Sequence, residues 1–262
     1  MQALLSGAKL HGIEIKPNDM NADAAVIWSV LWFGRMSGNK SIYEHFRKQN
    51  KPVFIVEVGS LCRNVTWKIS LNHVNALGYY GHTQNLNYDR PKILGVELKN
   101  QVSNNGKILI AGQHAHSLQV ADLPAQEVWI NDMIEKVRTV SNRPIVVRPH
   151  PRSRIDVTRI INDVEIQQPK KILDTYDSFD FSTNYHVVIN HNSGPGIQAA
   201  VAGARACVDK TSLVHPVSIE LHEIEQHYNK DRTQWFVELC HTEYFVSELA
   251  QGIWYQRLQH GQ

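Results

Sequence analysis

Between residues 107 and 210 the sequence repeats one pattern: a short, mostly apolar run, a turn, and then a helical spacing or a further run. Lys107-Ile-Leu-Ile-Ala-Gly-Gln113, Arg143-Pro-Ile-Val-Val-Arg-Pro149, Val164-Glu-Ile-Gln-Gln168, His186-Val-Val-Ile-Asn190 and Arg205-Ala-Cys-Val-Asp209 read as five strands. A strand wetted on one face alternates polar and apolar residues. Strands that are mostly apolar throughout belong in a parallel sheet covered on both faces. Val128, Ile130, Ile134, Val137 and Val140 approximate a helical spacing between Ala125 and Val140, and Gly196 to Ala202 reads as a small-residue helix ending at Gly203. The expected class is α/β.

The first hundred residues follow the same style less cleanly. Asp23 to Leu31 and Pro52 to Val58 read as strands with a helix over Asn39 to Gln49 between them, a second βαβ unit. Arg63 to Arg90, rich in Asn, Gly, Tyr and His, reads as loops with short elements. From Ile219 onward the chain reads as helical, anchored by Trp235, Phe236, Leu239, Tyr244, Phe245, Leu249, Trp254 and Leu258. The polar stretch Leu98 to Lys107 is the expected linker. Three segments result: an α/β lobe over 1–100, a Rossmann-like lobe over 107–210, and C-terminal helices over 211–262 that pack across both.

Composition excludes several classes of function. With 42% hydrophobic and 20% charged residues, the chain has the makeup of a globular protein. Its net charge of +2 is too small for a protein that coats nucleic-acid phosphates generally, though one basic groove remains compatible with it. Cys62, Cys207 and Cys240 are odd in number and widely spaced, so neither a disulfide framework nor a zinc site is expected. No apolar run reaches the roughly 18 residues of a membrane span, and the first residues lack a basic n-region. The expectation is a cytoplasmic protein without membrane contact.

Two turns carry the chemistry. Arg148-Pro-His-Pro-Arg152 directly follows a buried strand, and ligands of open α/β sheets bind beyond the carboxyl ends of strands. Prolines restrict the backbone around His150; the imidazole could donate to a phosphate while Arg148 or Arg152 clamps it. A rigid surface turn with solvated arginines is the plainer alternative. Asn190-His-Asn-Ser-Gly-Pro-Gly196 follows another strand and precedes a helix, so Ser193 and Gly194 would offer a hydroxyl and backbone N–H groups to an anion. A simple helix cap is the alternative there. Neither turn is a Walker loop or a GxGxxG fingerprint, and no HExxH, GxSxG or Asp-x-Asp occurs.

The pairing of His-Pro after one strand with Asn-Ser-Gly before a later helix resembles the HP and S motifs of glycosyltransferases with the two-Rossmann GT-B architecture. Bacterial sialyltransferases, Kdo transferases of capsule synthesis and CDP-glycerol glycerophosphotransferases share it. A wider set of phrases is similar to short phage-encoded glycosyltransferase-like proteins: Val56-Glu-Val-Gly59, Trp67-Lys-Ile-Ser-Leu-Asn72, Ile110-Ala-Gly-Gln-His114, Arg148 to Arg152, and Asp231 to Trp235 on to Trp254. The resemblance implies a GT-B-like fold of two Rossmann-like lobes, with His150, Ser193 and Gly194 on the donor phosphate. It also implies a metal-independent glycosyltransferase with a nucleotide-sugar as substrate and no further cofactor. A hydroxymethylated pyrimidine of phage DNA is the acceptor it raises, in the host cytoplasm. The Asp/Glu-Asp/Glu-Gly motif that carries the base in many sialyltransferases is missing from this sequence.

The residues themselves supply the remaining candidates. An inverting transfer needs a carboxylate or imidazole near the acceptor hydroxyl. Glu57, at the end of a strand, is the expected base and His73 the reserve. Gln113, His114 and His116 follow the first strand of the second lobe; Gln113 and His114 or His116 could reach the donor phosphate, with Arg148 and Arg152 neutralising it, a histidine satisfied within its loop being the plainer alternative. Tyr79 and Tyr80, with Asn72 and Arg63, are the candidate acceptor contacts, whose rings could stack on a base; a packed aromatic loop layer is the plainer alternative. A phosphotransferase acting on a nucleotide-linked polyol, or a non-catalytic nucleotide- or DNA-binding module, would use the same donor turns. The oligomeric state is left open.

Overall fold

The computed structural model describes residues 2–101, 106–173, 175–177, 185–227 and 229–259. Residues 102–105 of the expected linker, Asp174 and Asp180, and the last three positions of the expected C-terminal segment lie outside the described residues. In chain order the elements are α1 (Gln2–Leu10), β1 (Ala25–Trp28), α2 (Asn39–Lys48), β2 (Val53–Val58), β3 (Thr66–Leu71) and α3 (Arg90–Leu94). Then come β4 (Lys107–Ala111), α4 (Gln126–Arg138), β5 (Ile145–Arg148), β6 (Glu165–Ile166), β7 (Lys171–Ile172), β8 (Thr175–Tyr176), β9 (Tyr185–Asn190), α5 (Gly194–Val201) and β10 (Arg205–Val208). Last are α6 (Thr233–Cys240), β11 (Glu243–Phe245), α7 (Val246–Ala250) and α8 (Ile253–Leu258).

The chain forms two compact units, Met1–Glu97 with Thr233–Gln262, and Leu98–Arg232. Residues of the expected C-terminal segment over 211–262 fall in both units. Ile219 and Ile224 are buried in the core of the second unit, whereas Leu249, Trp254 and Leu258 are buried in the first.

The second unit holds a sheet of order β10-β9-β4-β5-β6 in which every pairing is parallel. One face buries Ile108, Ile110, Ile145, Val147, Val187 and Ile189 against Trp129, Ile130, Ile134 and Val137 of α4. The other buries Leu109, Val146 and Val188 against Ala199 of α5. Two covered faces are the reason these strands show no alternation.

The first unit departs from that plan. Its sheet runs β1-β2-β3-β11; β1 and β2 are parallel, while β3 and β11 join antiparallel. Strand β3 lies in a stretch expected to be mainly loops. Its residues alternate: Trp67, Ile69 and Leu71 join an apolar cluster with Leu4, Phe54, Val56, Tyr244 and Trp254, and Thr66, Lys68 and Ser70 take the opposite face. Strand β11 interrupts a tail expected to be helical throughout. Three residues between two helices are too few to show a period of two, and pairing with β3 decides their conformation.

Candidate functional site at the carboxyl edge of the parallel sheet

Strand β4 opens the second unit at the middle of its sheet. The chain passes to β5 on one side and later returns to β9 on the other, so the connections diverge between the carboxyl ends of β4 and β9. That switch point is where open α/β sheets bind ligands. The turns after β4, β5 and β9 carry His114, His150 and Ser193.

The two imidazoles lie 5.0 Å apart between ring centroids. Nδ1 of His150 accepts the backbone N–H of Arg152 at 3.1 Å, and Nδ1 of His114 accepts that of His116 at 3.2 Å. In each neutral ring this network assigns the proton to Nε2, which becomes a donor. His114 is 5% exposed; burial, with the charges of His116 and Arg152 nearby, pushes its pKa down and keeps it neutral near pH 7. The turns brace one another, because Ser153 Oγ accepts the Ala115 N–H at 3.1 Å. Gly112 allows their close approach: a Cβ there would stand 3.3 Å from the His150 nitrogen.

Helix α5 begins at Gly194 with Ser193 in extended backbone, and the Ser193 side chain makes no capping bond to the helix. Asn190 Nδ2 instead donates to Ser193 Oγ at 3.1 Å, which leaves the hydroxyl proton available to point elsewhere. The space beside Gly194, where a Cβ would sit, is open. At Gly196 the reverse holds, since a Cβ would meet Asn190 Oδ1 at 2.5 Å and Val208 Cγ1 at 3.0 Å. An uncapped helix start with a hydroxyl beside it is suited to an anion.

The other expected donor contacts have different roles. Arg148 is 3% exposed, and its guanidinium binds Asp177 through Nη2 at 2.9 Å and Nη1 at 3.3 Å. That pairing engages the buried head expected to clamp a phosphate. The Arg148 bond in turn holds the Asp177 carboxyl below its ordinary pKa. Arg152, beyond the strand and exposed, is the arginine on the turn itself. Gln113, also buried, engages Asn192 through both ends of its amide. Nε2 donates to Asn192 Oδ1 at 2.8 Å, and Oε1 accepts the Asn192 N–H at 3.3 Å.

In the first unit Glu57 is half-buried at the end of β2, and its Oε1 accepts the Val30 N–H at 3.3 Å. Across the sheet it stands in register with Lys68, and Lys68 with Glu243. Burial pushes the Lys68 pKa down against the opposing pull of Glu243 and Glu57. The structure does not bring His73 to Glu57. The Asn72 N–H donates to Val53 O at 2.7 Å, which puts the end of β3 beside the first residue of β2. Four residues of strand, about 13 Å, then separate that edge from Glu57. Asn72 is engaged as well, for its Oδ1 accepts from Val53 N and Arg47 Nη1, each at 3.0 Å.

The two tyrosines of the candidate acceptor cluster diverge. Tyr79 packs on the apolar cluster of the sheet, whereas Tyr80 takes the opposite face and is 1% exposed. Burial pushes the Tyr80 phenol up. Arg63 is exposed in the loop before β3. Sequence reasoning passed over Asn190, Asn192, Gln126, Thr211 and Asp209, which hold the turns at the edge of the parallel sheet. The run Asn190-His-Asn-Ser193, dense in side chains that bond backbone locally, was the available signal.

No family model and no curated protein sequence matches the chain. Among solved structures, the β-Kdo 2,4-transferase KpsC of Thermosulfurimonas dismutans matches with a TM-score of 0.50 at 11% identity, over 87% of this chain and 82% of that one. The β-Kdo 2,7-transferase KpsC of the same organism gives 0.46 at 11% identity, over 91% and 86%. The first likeness, together with the two α/β units, establishes the fold class expected from the sequence.

Proposed function

We propose that the chain is a glycosyltransferase that moves a sugar from a nucleotide-activated donor to an acceptor hydroxyl, with the donor phosphate at the carboxyl edge of the parallel sheet. The observation that carries this reading is the convergence there of two imidazoles set to donate through Nε2 and an uncapped helix start with a serine hydroxyl. The fold shared with a protein described as a β-Kdo transferase supports it. Glu57 is the proposed base. It takes the acceptor proton as the acceptor oxygen bonds to the anomeric carbon. The bond from that carbon to the phosphate oxygen breaks, and the departing phosphate keeps the electron pair. His114, His150, Ser193 and the Gly194 N–H stabilise that growing charge, with the Arg152 guanidinium adding a full positive one. DNA is not part of the proposal, because Tyr79 and Tyr80 lie on opposite faces of a sheet and offer no stacking surface.

Thermal unfolding in the presence of UDP, CMP, CDP, GDP and ADP tests the donor site. A nucleotide at 100 times its Kd adds about 2.7 kcal/mol of stability. The expected result is a selective shift that disappears in His150→Ala. If no nucleotide shifts the wild-type chain, the donor site is refuted. If a nucleotide binds but Glu57→Gln transfers sugar at the wild-type rate, only the base assignment fails.

A further inference from the structure

The side chains that tie the turns of the second unit together form one directed chain of hydrogen bonds. Gln126, at the start of α4, accepts the Gln113 N–H on Oε1 at 2.8 Å. Gln113 Nε2 donates to Asn192 Oδ1 at 2.8 Å, and Asn192 Nδ2 donates to Thr211 Oγ1 at 2.9 Å. The Thr211 hydroxyl donates to Asp209 Oδ1 at 2.6 Å, and the same oxygen accepts the Thr211 N–H at 2.8 Å. Gln113, Gln126 and Asn192 are all buried.

Direction along this chain is set at one end. An ionised carboxylate only accepts, so Thr211 must give its proton to Asp209 and receive one from Asn192. Asn192 must then turn its NH2 toward Thr211 and its carbonyl toward Gln113. Gln113 answers with its NH2, which leaves its own carbonyl for the Asn192 backbone. Each amide is held in one of its two flips, and the turns after β4, β9 and β10 are held at one separation. His114 follows Gln113 directly, and Ser193 follows Asn192.

We propose that this chain is a positioning bracket: it fixes the spacing between the His114 turn and the Ser193–Gly194 turn, so that Thr211 and Asp209 govern nucleotide affinity without touching the nucleotide. The inference rests on the donor site proposed above. Breaking one buried link leaves an NH2 or a carbonyl unpaired and lets the amides flip, and coupled networks of this kind lose binding well beyond the altered atom.

The experiment measures the Kd of whichever of UDP, CMP, CDP, GDP and ADP most stabilises the wild-type chain, in Thr211→Val, Thr211→Ser and Asp209→Asn. Valine keeps the shape of threonine and removes the hydroxyl; serine keeps the hydroxyl. Thr211→Val is expected to weaken binding about tenfold and Thr211→Ser to stay within about twofold; in Asp209→Asn, whose Oδ1 can still accept both Thr211 bonds, the loss should be smaller than in Thr211→Val. Exchange of the Asn192 and Gln113 side-chain amide protons, read by NMR without ligand, should quicken in Thr211→Val and remain slow in Thr211→Ser. Wild-type affinity in Thr211→Val, or equal weakening in the valine and serine variants, overturns the bracket and leaves the donor site standing. A wild-type chain with slow amide exchange that no nucleotide stabilises overturns the donor site, and the proposed role falls with it.

Discussion

Glu243 should be among the costliest single side chains to alter in the first unit, although no proposed function depends on it. It is 0% exposed on the three-residue strand β11, and its carboxylate fills with donors from the loop before β3. Oε1 accepts the N–H groups of Ser60 at 2.5 Å and Leu61 at 2.8 Å. Oε2 accepts the Thr66 hydroxyl at 2.6 Å and the Cys62 N–H at 3.3 Å. In Glu243→Gln the amide would keep its carbonyl on the Ser60–Leu61 pair and turn its NH2 toward Thr66, whose hydroxyl can reverse to accept. The Cys62 N–H is then orphaned, at about 1–3 kcal/mol, and the Ser60 and Leu61 bonds lose their charge assistance, each falling from roughly 2 to about 1 kcal/mol. The sum is about 3–5 kcal/mol. Five of the six tryptophans, Trp28, Trp32, Trp67, Trp235 and Trp254, belong to the first unit, so their fluorescence follows its unfolding in urea. With a slope of about 2 kcal/mol per molar, the midpoint should drop by about 1.5–2.5 M. A drop under about 0.3 M would refute the idea that this carboxylate holds the loop.

Further perturbations separate structural from functional roles. Arg148→Met should cost the second unit about 2 kcal/mol, less than a fully buried pair because Asp177 is partly exposed, while the nucleotide-induced shift survives; His150→Ala should do the opposite, and calorimetry with and without nucleotide reads both. Gly196→Ala should cost about 1–3 kcal/mol and abolish the nucleotide shift, because its Cβ displaces Asn190, which holds Ser193; normal nucleotide binding would contradict that linkage. Tyr80→Phe should cost about 0.5–1.5 kcal/mol, because the buried phenol bonds the Ser70 side chain; an unchanged urea midpoint would contradict that bond. Acidification should destabilise the fold from near neutrality: burial lowers the pKa of His73, His82, His114, His191 and His241. The unfolded chain therefore takes up protons below about pH 6.5 that the folded chain resists, and urea midpoints between pH 7.5 and 5.5 should fall steadily, where a flat series would contradict the buried, neutral rings.

The parallel sheet could be read from the sequence because both of its faces are covered, so Ile108 to Ala111 and Val187 to Ile189 have no wet side on which a polar residue would be tolerated. The first unit was harder for the same physical reason turned round. Strand β3 has an apolar face and a polar one, and the polar residues Thr66, Lys68 and Ser70 sit among asparagines and glycines that read as loop. Their polarity is met by partners distant in sequence, above all Glu243, 177 positions from Thr66. Helix α1 gave little warning either, since its apolar residues Leu4 and Ala8 acquire a partner only when Leu249 and Trp254 return to the same sheet.

At the site, residue type located the turns but could not divide the labour within them. Arg148 and Arg152 flank His150 symmetrically in the sequence, and both suit a phosphate. The strand breaks that symmetry: Arg148 is the last residue of β5 and is buried against Asp177, whereas Arg152 is past the second proline and outside the sheet. Glu57 and His73 pose the same problem at longer range, because both follow apolar strands and both could take a proton. Chain reversal decides between them. β2 and β3 are antiparallel, so the end of one strand is the beginning of the other, and two residues that each follow a strand lie at opposite edges of one sheet. A single base at one acceptor hydroxyl can therefore be Glu57 or His73 but not a choice of either, and only Glu57 stands at the carboxyl edge of the parallel pair β1–β2. If His73→Gln abolished transfer while Glu57→Gln did not, the acceptor would have to sit at the other edge, beside Tyr43 and Arg47, and the assignment of the base would have to move with it.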